Sequence, residues 1–429
     1  MLSATSDLSD KKGQVIADDI DLDALFGGSS ETPIHPRDVF SQLPKASRFG
    51  FLRDVQADVL DGWMKDPDRA DVIVKLNTGA GKTTTGLLIL QSSLNANVGP
   101  AVYLAPDRYL VGQVIAEAGD LGIAVTDDAA DTGFRRGSAV LVTTVHKLFN
   151  GRSVFGVGSS GVKINIGSLV IDDAHASLAT VADQFRAELP MKHPAYGKIG
   201  ELFSSALEDQ SPSTTLAIRD NDPQKYLEVP FWAVQERADD LLQILHEHRE
   251  TDELRFVYPF LADHLSLCRV VVGGQGIEIA PLLPLPHMIP AFRAAKRRIY
   301  MSATLADDSV FVTHFGAEAN KLGDPVTPPN AHAMGDRMIL LPQDLDRDIT
   351  RDEIKKLLVE LATEKNVVIL APSGRAAKDW QGIASQVLVG DNVSAGVNRL
   401  QQGEHVGLTV LVNRYDGIDL PHNACRVLS

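Results

Sequence analysis

The chain holds 429 residues, 44% of them hydrophobic and 23% charged, the balance of a soluble folded protein with room for two to three domains of about 150 residues each. No apolar run approaches the roughly 18 residues of a membrane-spanning helix, and the start Met1-Leu-Ser-Ala-Thr-Ser-Asp lacks the basic and apolar regions of a secretion signal, so a cytoplasmic protein with no membrane contact is expected. Two cysteines, Cys268 and Cys425, rule out a four-cysteine zinc or iron-sulfur site in this chain, and a formal net charge of -15 argues against a protein that coats nucleic acid by bulk electrostatics.

Residues 1–30 are polar and acidic with few aromatics, the composition of a disordered tail. Phe49-Gly-Phe-Leu-Arg-Asp-Val-Gln56 then leads into a helix with Val59, Leu60 and Trp63 at helical spacing, and the Gln56 amide offers both a donor and an acceptor. Asp71-Val-Ile-Val reads as a buried parallel strand and Leu87-Leu-Ile-Leu as part of a helix. Between them runs Thr78-Gly79-Ala80-Gly81-Lys82-Thr83-Thr84. Glycines at 79 and 81 let the backbone curl so that successive N–H groups face phosphate oxygens at the positive end of the following helix. Lys82 is then in reach of the β- and γ-phosphates of ATP, and the Thr83 hydroxyl is a ligand for Mg2+. Leu76 stands where the longer form of such a loop has its first glycine.

A second strand, Ala101-Val-Tyr-Leu, ends in Pro106-Asp-Arg108, followed by a helix through Ala118. Backbone amides and Arg108 at such a strand end can bind a nucleic-acid phosphate. A third strand leads into Thr143-Thr144-Val-His-Lys. Gly167-Ser-Leu-Val-Ile-Asp172-Asp173-Ala-His175 is a buried strand that delivers two carboxylates at its carboxyl end, as a Mg2+ site beside a phosphate loop requires. Residues 31–175 and 298–322 therefore read as an α/β nucleotide-binding domain built on a parallel sheet.

Residues 176–297 carry no nucleotide motif and are expected to form a mostly helical insertion with one hairpin, Arg269 to Ala280, turning on its glycines. Arg298-Ile-Tyr-Met-Ser302-Ala-Thr304-Leu returns to the sheet. Residues 323–336, rich in Pro, Gly and Asn, mark a linker, and 337–429 begin a second, partial α/β domain with strands at Asn366 to Ser373 and from Thr409.

Taken in order, these segments resemble the motifs of superfamily 2 DEAD/DEAH-box helicases. Asp172-Asp173-Ala-His175 stands in for the DEAH box, and Ser302-Ala-Thr304 for the third motif. The acid before the glycine in Asp416-Gly417-Ile-Asp419 and the large insertion make the resemblance nearest to the repair-type, iron-sulfur branch, without its cluster cysteines. The resemblance implies two RecA-like domains and assigns roles residue by residue. Gln56 reads adenine. Residues 78–84, from Thr78 through Gly79, Ala80, Gly81, Lys82 and Thr83 to Thr84, hold the phosphates. Asp172 and Thr83 hold Mg2+, Asp173 orients the attacking water, and Ser302 and Thr304 couple through His175. Pro106, Arg108, Thr144 and Ser373 touch the nucleic-acid backbone, and Gly417 and Asp419 approach the ribose. Relatives carry Glu where this chain has Asp173, one methylene shorter, so slow hydrolysis is expected.

The resemblance implies an ATP-dependent motor on DNA or RNA, making contact with single strands; for the insertion a wedge, a strand clamp and a platform for a protein partner are all compatible. No Gln-x-x-Gly-Arg-x-x-Arg motif follows, which suggests a fragment whose arginine finger lies in a missing C-terminal part. The competing reading is an ATP-binding switch or scaffold that hydrolyses little and acts through a partner.

Overall fold

The computed structural model describes residues 32–77, 79–303, 308–329, 338–390, 392–413, 418, 420 and 422–429. Short aliphatic runs, each followed by a polar or glycine-bearing turn, form β1 (Asp71–Lys75), β2 (Ala101–Ala105), β3 (Val125–Thr126), β4 (Val140–Thr144) and β5 (Ser168–Ile171). Helices such as Lys82–Asn95 and Arg108–Leu121 return the chain between strands, so all neighbours run parallel.

After β5 the chain leaves the sheet. The hairpin expected from its glycines is present as β8 (Cys268–Gly273) and β9 (Gly276–Pro281), but it does not stand alone. β6 (Ala187–Pro190) and β7 (Tyr226–Glu228) flank it, giving an antiparallel sheet in the order β6-β9-β8-β7 with helices packed around it. The expectation of helix plus a single hairpin is corrected in this respect. The two flanking strands span only four and three residues, too few for an alternating pattern to stand out. Gly274 allows the turn: a Cβ there would meet the Asp222 carbonyl oxygen at 2.2 Å.

The insertion has its own core, around Leu189, Ile199, Leu245, Val270 and Ile279. Its two ends are sewn into the first domain instead. Phe185 stacks on Phe260 at 4.5 Å and Phe292 meets Phe149 at 5.0 Å, all within the cluster that covers one face of the parallel sheet.

β10 (Arg297–Ser302) then enters the middle of that sheet, giving the order β1-β10-β5-β2-β4-β3. Its register against β1 sets Arg298 beside Asp71, and the two make a buried ion pair at 2.7 Å, with the Tyr300 hydroxyl donating to the same carboxylate at 2.8 Å. Val326 lies along the free side of β1, donating its N–H to Ile73 and accepting from Lys75. Part of the stretch read as a linker therefore belongs to the sheet edge, whose unpaired β1 backbone groups attract it.

The second unit holds β11 (Val367–Ala371), β12 (Gln386–Leu388), β13 (Leu408–Val412) and β14 (Val427–Leu428), parallel, in the order β12-β13-β11-β14. Helix Arg351–Leu361 opens with a capping box between Thr350 and Glu353, and its buried side packs with Val367 and Val410. An α/β chain with a six-stranded parallel sheet and a second, smaller parallel sheet is what two RecA-like domains require. Among the described residues no helix is long and apolar enough to cross a membrane.

Candidate functional site

The loop after β1 is held from beneath and from one side. Leu76 N–H donates to the Ser302 carbonyl at 3.0 Å, tying the start of the loop to the end of β10. Gly79 and Gly81 sit at φ +79° and +85°, and Gly81 caps the helix Lys82–Asn95. A Cβ at Gly81 would lie 2.1 Å from Gln56 Nε2, so a side chain there would displace Gln56 and strain a left-handed backbone. Lys82 and Thr83 form the first helical turn, where backbone N–H groups have no carbonyl partner within the helix, the arrangement that suits an anion. Thr78, the residue before the first glycine, lies outside the described residues.

Gln56 packs directly on this loop. Its Oε1 accepts from Arg53 N at 3.0 Å and its Nε2 donates to the Gly81 carbonyl at 3.2 Å, and the residue is buried. Arg53 reaches over to the Gly79 carbonyl at 2.5 Å. Both ends of the amide expected to read adenine are thus engaged with backbone, and adenine readout requires Gln56 to exchange one of those bonds.

Asp172 emerges at the carboxyl end of β5, buried, with its Oδ1 accepting from Asp173 N at 2.8 Å and its Oδ2 from the Tyr103 hydroxyl at 2.7 Å. Burial raises its carboxyl above the ordinary range, and the Lys82 ammonium opposes that rise. Asp173 adopts a left-handed backbone, φ +41° and ψ +60°, as it starts the helix Ala174–Asp183. A non-glycine residue held there turns the chain abruptly from strand to helix. His175 stands exposed on the first turn of that helix. Ser302 is fully buried at the end of β10, while Thr304, its expected companion, lies outside the described residues.

On the next strand end, Asp107 caps helix Arg108–Leu121 by accepting from Leu110 N at 2.9 Å, leaving Pro106 half-buried and Arg108 exposed. Thr144 is buried at the end of β4, and Ser373 is exposed at the end of β11, where its Oγ accepts from Ala376 N. Gly417 and Asp419 lie outside the described residues. The glycine loop, Asp172, Pro106, Arg108 and Thr144 thus crowd along one carboxyl edge of one parallel sheet, and Ser373 belongs to the other.

Three residues of this site carry no sequence motif. Arg53 braces the loop, as above. Tyr103, in the middle of β2, is wholly buried and donates to Asp172; burial, then the Asp172 charge, push its phenol well above the ordinary range, and the Thr83 hydroxyl opposes that rise. Glu117, on the helix after β2, accepts from the Thr84 hydroxyl, and burial raises its carboxyl. Only Tyr103 left a trace in the sequence: a phenol in an otherwise aliphatic strand needs a polar partner inside.

The donors gathered here suit a hard cation. Thr83 and Asp172 offer oxygen alone, and Lys82 is the cation that lowers the Asp172 carboxyl. Among the described residues no group of three His, Cys, Asp or Glu side chains could hold a metal ion, so a cation here would need oxygens from a phosphate ligand as well.

The family model of the DEAD/DEAH box helicases matches residues 53–198, which hold the phosphate loop and both aspartates. That stretch resembles a DEAD/DEAH box helicase domain. This agrees with the superfamily 2 resemblance read from the motifs. No curated protein matches the chain. Solved structures similar to it include an XPD helicase, 14% identical, covering 88% of this chain and 84% of that one at a TM-score of 0.46. Xpd4 of S. tokodaii is 15% identical over 84% of this chain and 80% of that one, with a TM-score of 0.49. Dbp5 of S. cerevisiae, bound to RNA and ADP BeF3, is 15% identical over 91% of this chain and 79% of that one, with a TM-score of 0.41. The matched helicase domain ends inside the insertion, eight residues after β6.

Proposed function

We propose that the chain is a nucleic-acid-dependent ATPase of the helicase and translocase class, binding Mg-ATP at the carboxyl edge of its first sheet and a strand of DNA or RNA beside it. The observation that carries the reading is the shared edge: β2 presents Arg108 a few residues after Tyr103, which touches both Thr83 and Asp172. A strand held at Pro106, Arg108 and Thr144 would therefore press on the element that backs the nucleotide.

In this reading the N–H groups of residues 79–83 cradle the phosphates, with Lys82 on the β- and γ-phosphates. Bound Mg2+ would neutralise developing charge on the phosphates, and Thr83 and Asp172 would be its protein ligands. Asp173 would orient the attacking water, with His175, Ser302 and Thr304 passing the state of the site onward. Gln56 would release one backbone bond to read adenine. Ser373 would add a strand contact and Gly417 and Asp419 a ribose contact from the second unit. The insertion would serve as the platform for a protein partner, and the chain would work in the cytoplasm.

One observation favours the second reading, an ATP-binding switch with little hydrolysis: Asp173 sets its carboxylate one methylene back from where a glutamate would place it. A single assay separates the two. ATP turnover by the chain is measured with and without single-stranded DNA and single-stranded RNA. Stimulation by either supports the motor, whereas tight ATP binding with no stimulated turnover sinks the motor and leaves the switch. Lys82→Ala serves as the control that removes turnover.

A further inference from the structure

The phenol of Tyr103 has two partners of unequal kind. Asp172 Oδ2 lies 2.7 Å from its oxygen, and the Thr83 hydroxyl is the neighbour that opposes the rise of the phenol's pKa. An ionised carboxylate only accepts, so Tyr103 must give its proton to Asp172. Its oxygen is then left to accept, and the proton it takes is that of Thr83. On this pairing the protons run one way, from Thr83 through Tyr103 to Asp172, and a Thr83 hydroxyl that gives its proton to the phenol keeps its lone pairs for another partner. The other carboxylate oxygen, Oδ1, is steadied by Asp173 N at 2.8 Å. The next residue along, Thr84, donates to Glu117, so β2 and the helix after it grip both threonines of the loop.

We propose that Tyr103 is the positioning residue of the divalent-cation site: it fixes the Thr83 hydroxyl and the Asp172 carboxylate at one spacing, with the oxygen lone pairs of both set to receive Mg2+ carried in on ATP. The inference rests on the Mg-ATP reading above and goes beyond it in naming what presets the ligands. A purely structural role, a buried phenol satisfied by whichever carboxylate is near, predicts something different. It predicts lower stability on removing the hydroxyl and an unchanged demand for Mg2+.

The test titrates Mg2+ into the full chain mixed with a fluorescent ATP analogue, mant-ATP, in wild type and Tyr103→Phe, with thermal melting by circular dichroism to verify folding. In EDTA the two proteins are expected to bind the analogue within about twofold of each other, while Tyr103→Phe needs roughly 10- to 100-fold more Mg2+ to reach its tight complex, the range seen on removing an outer-shell partner of a metal ligand. An unchanged Mg2+ midpoint in a folded Tyr103→Phe overturns the proposal and leaves the Mg-ATP reading standing. A wild type that binds the analogue equally with Mg2+ and EDTA overturns the reading itself, and the inference falls with it. Should Tyr103→Phe fail to fold, 3-fluorotyrosine placed at position 103 keeps the hydroxyl and reports by fluorine NMR. A resonance that moves when Mg2+ joins the ATP complex supports the proposal, and one that does not move overturns it.

Discussion

At the scale of single residues, the site is set by close approaches that leave no slack. Gly81 combines a left-handed backbone with a neighbour, Gln56 Nε2, that would stand 2.1 Å from any Cβ. Gly81→Ala is therefore expected to cost about 1–2 kcal/mol from the backbone alone, and to push Gln56 off the Gly81 carbonyl. Urea unfolding with mant-ATP binding checks both, and an alanine variant with native stability and affinity would refute the fit. Asp172 allows a finer separation. Asp172→Ala leaves the buried Tyr103 hydroxyl without its acceptor, a loss of about 1–3 kcal/mol. Asp172→Asn keeps an oxygen for Tyr103 and should be the more stable of the two, yet both should lose Mg2+-dependent binding. Equal stability of the two variants would mean that the Tyr103 bond contributes nothing.

At the scale of elements, the insertion carries its own chemistry in the N-cap of the helix Pro194–Leu202. His193 Nδ1 accepts from Ala195 N at 3.2 Å, and its Nε2 lies 3.1 Å from Thr251 Oγ1, with Glu253 and the His248 ring as its charged or chargeable neighbours. Burial lowers its pKa from the ordinary value of 6.5, Glu253 opposing and His248 reinforcing. The folded state therefore binds this proton less readily than the unfolded chain, and the stability of the insertion is full above 6.5 and declines as pH falls below it. Protonation would also turn the Nδ1 acceptor into a donor facing Ala195 N–H, opening the cap. Thermal melts from pH 7.5 to 5 should fall, and His193→Asn, which can cap without titrating, should flatten the slope. An equally steep slope in that variant would assign the pH dependence elsewhere.

The same insertion marks how far the sequence was legible. β1, β5 and β10 are continuous buried runs, each delivering a motif at its carboxyl end, and such runs declare themselves. β6 and β7 are a few residues long and exist only because the β8–β9 hairpin offers edges to pair with, a tertiary cause that no local pattern carries. Val326 joins the sheet for the same reason. In the site, Lys82, Thr83 and Asp172 were legible as neighbours because a glycine-bearing loop after one buried strand and a carboxylate after another fall at one edge of a parallel sheet. Glu117 and Arg53 were not, because each acts through a neighbour that only the fold brings near, and Tyr103 showed only as a phenol in an aliphatic strand, its partner unnamed.

At the scale of the whole molecule, the first domain is closed by a strand that arrives late. β10 follows the long insertion and must slot between β1 and β5, already distant in sequence. What fixes its register is a buried trio at the amino end of the sheet: Arg298 on Asp71 at 2.7 Å and Tyr300 donating to the same carboxylate at 2.8 Å. Asp71 is 1% exposed, so a broken pair leaves a charge that water cannot reach. Arg298→Met is expected to cost about 3–5 kcal/mol, the loss typical of removing one partner of a buried pair. Asp71→Asn added to it removes the stranded charge while keeping an oxygen for Tyr300, and should recover most of that loss. Because β10 carries Ser302 at its far end and Ser302 holds Leu76 of the phosphate loop, the single variant should weaken mant-ATP binding at a distance, and the double variant should restore it. Urea unfolding and nucleotide titration of the two proteins read this coupling. Loss of stability with unaltered nucleotide affinity would show that β10 closes the sheet without setting the loop and, in the motor reading, would confine the coupling to β2 and β5.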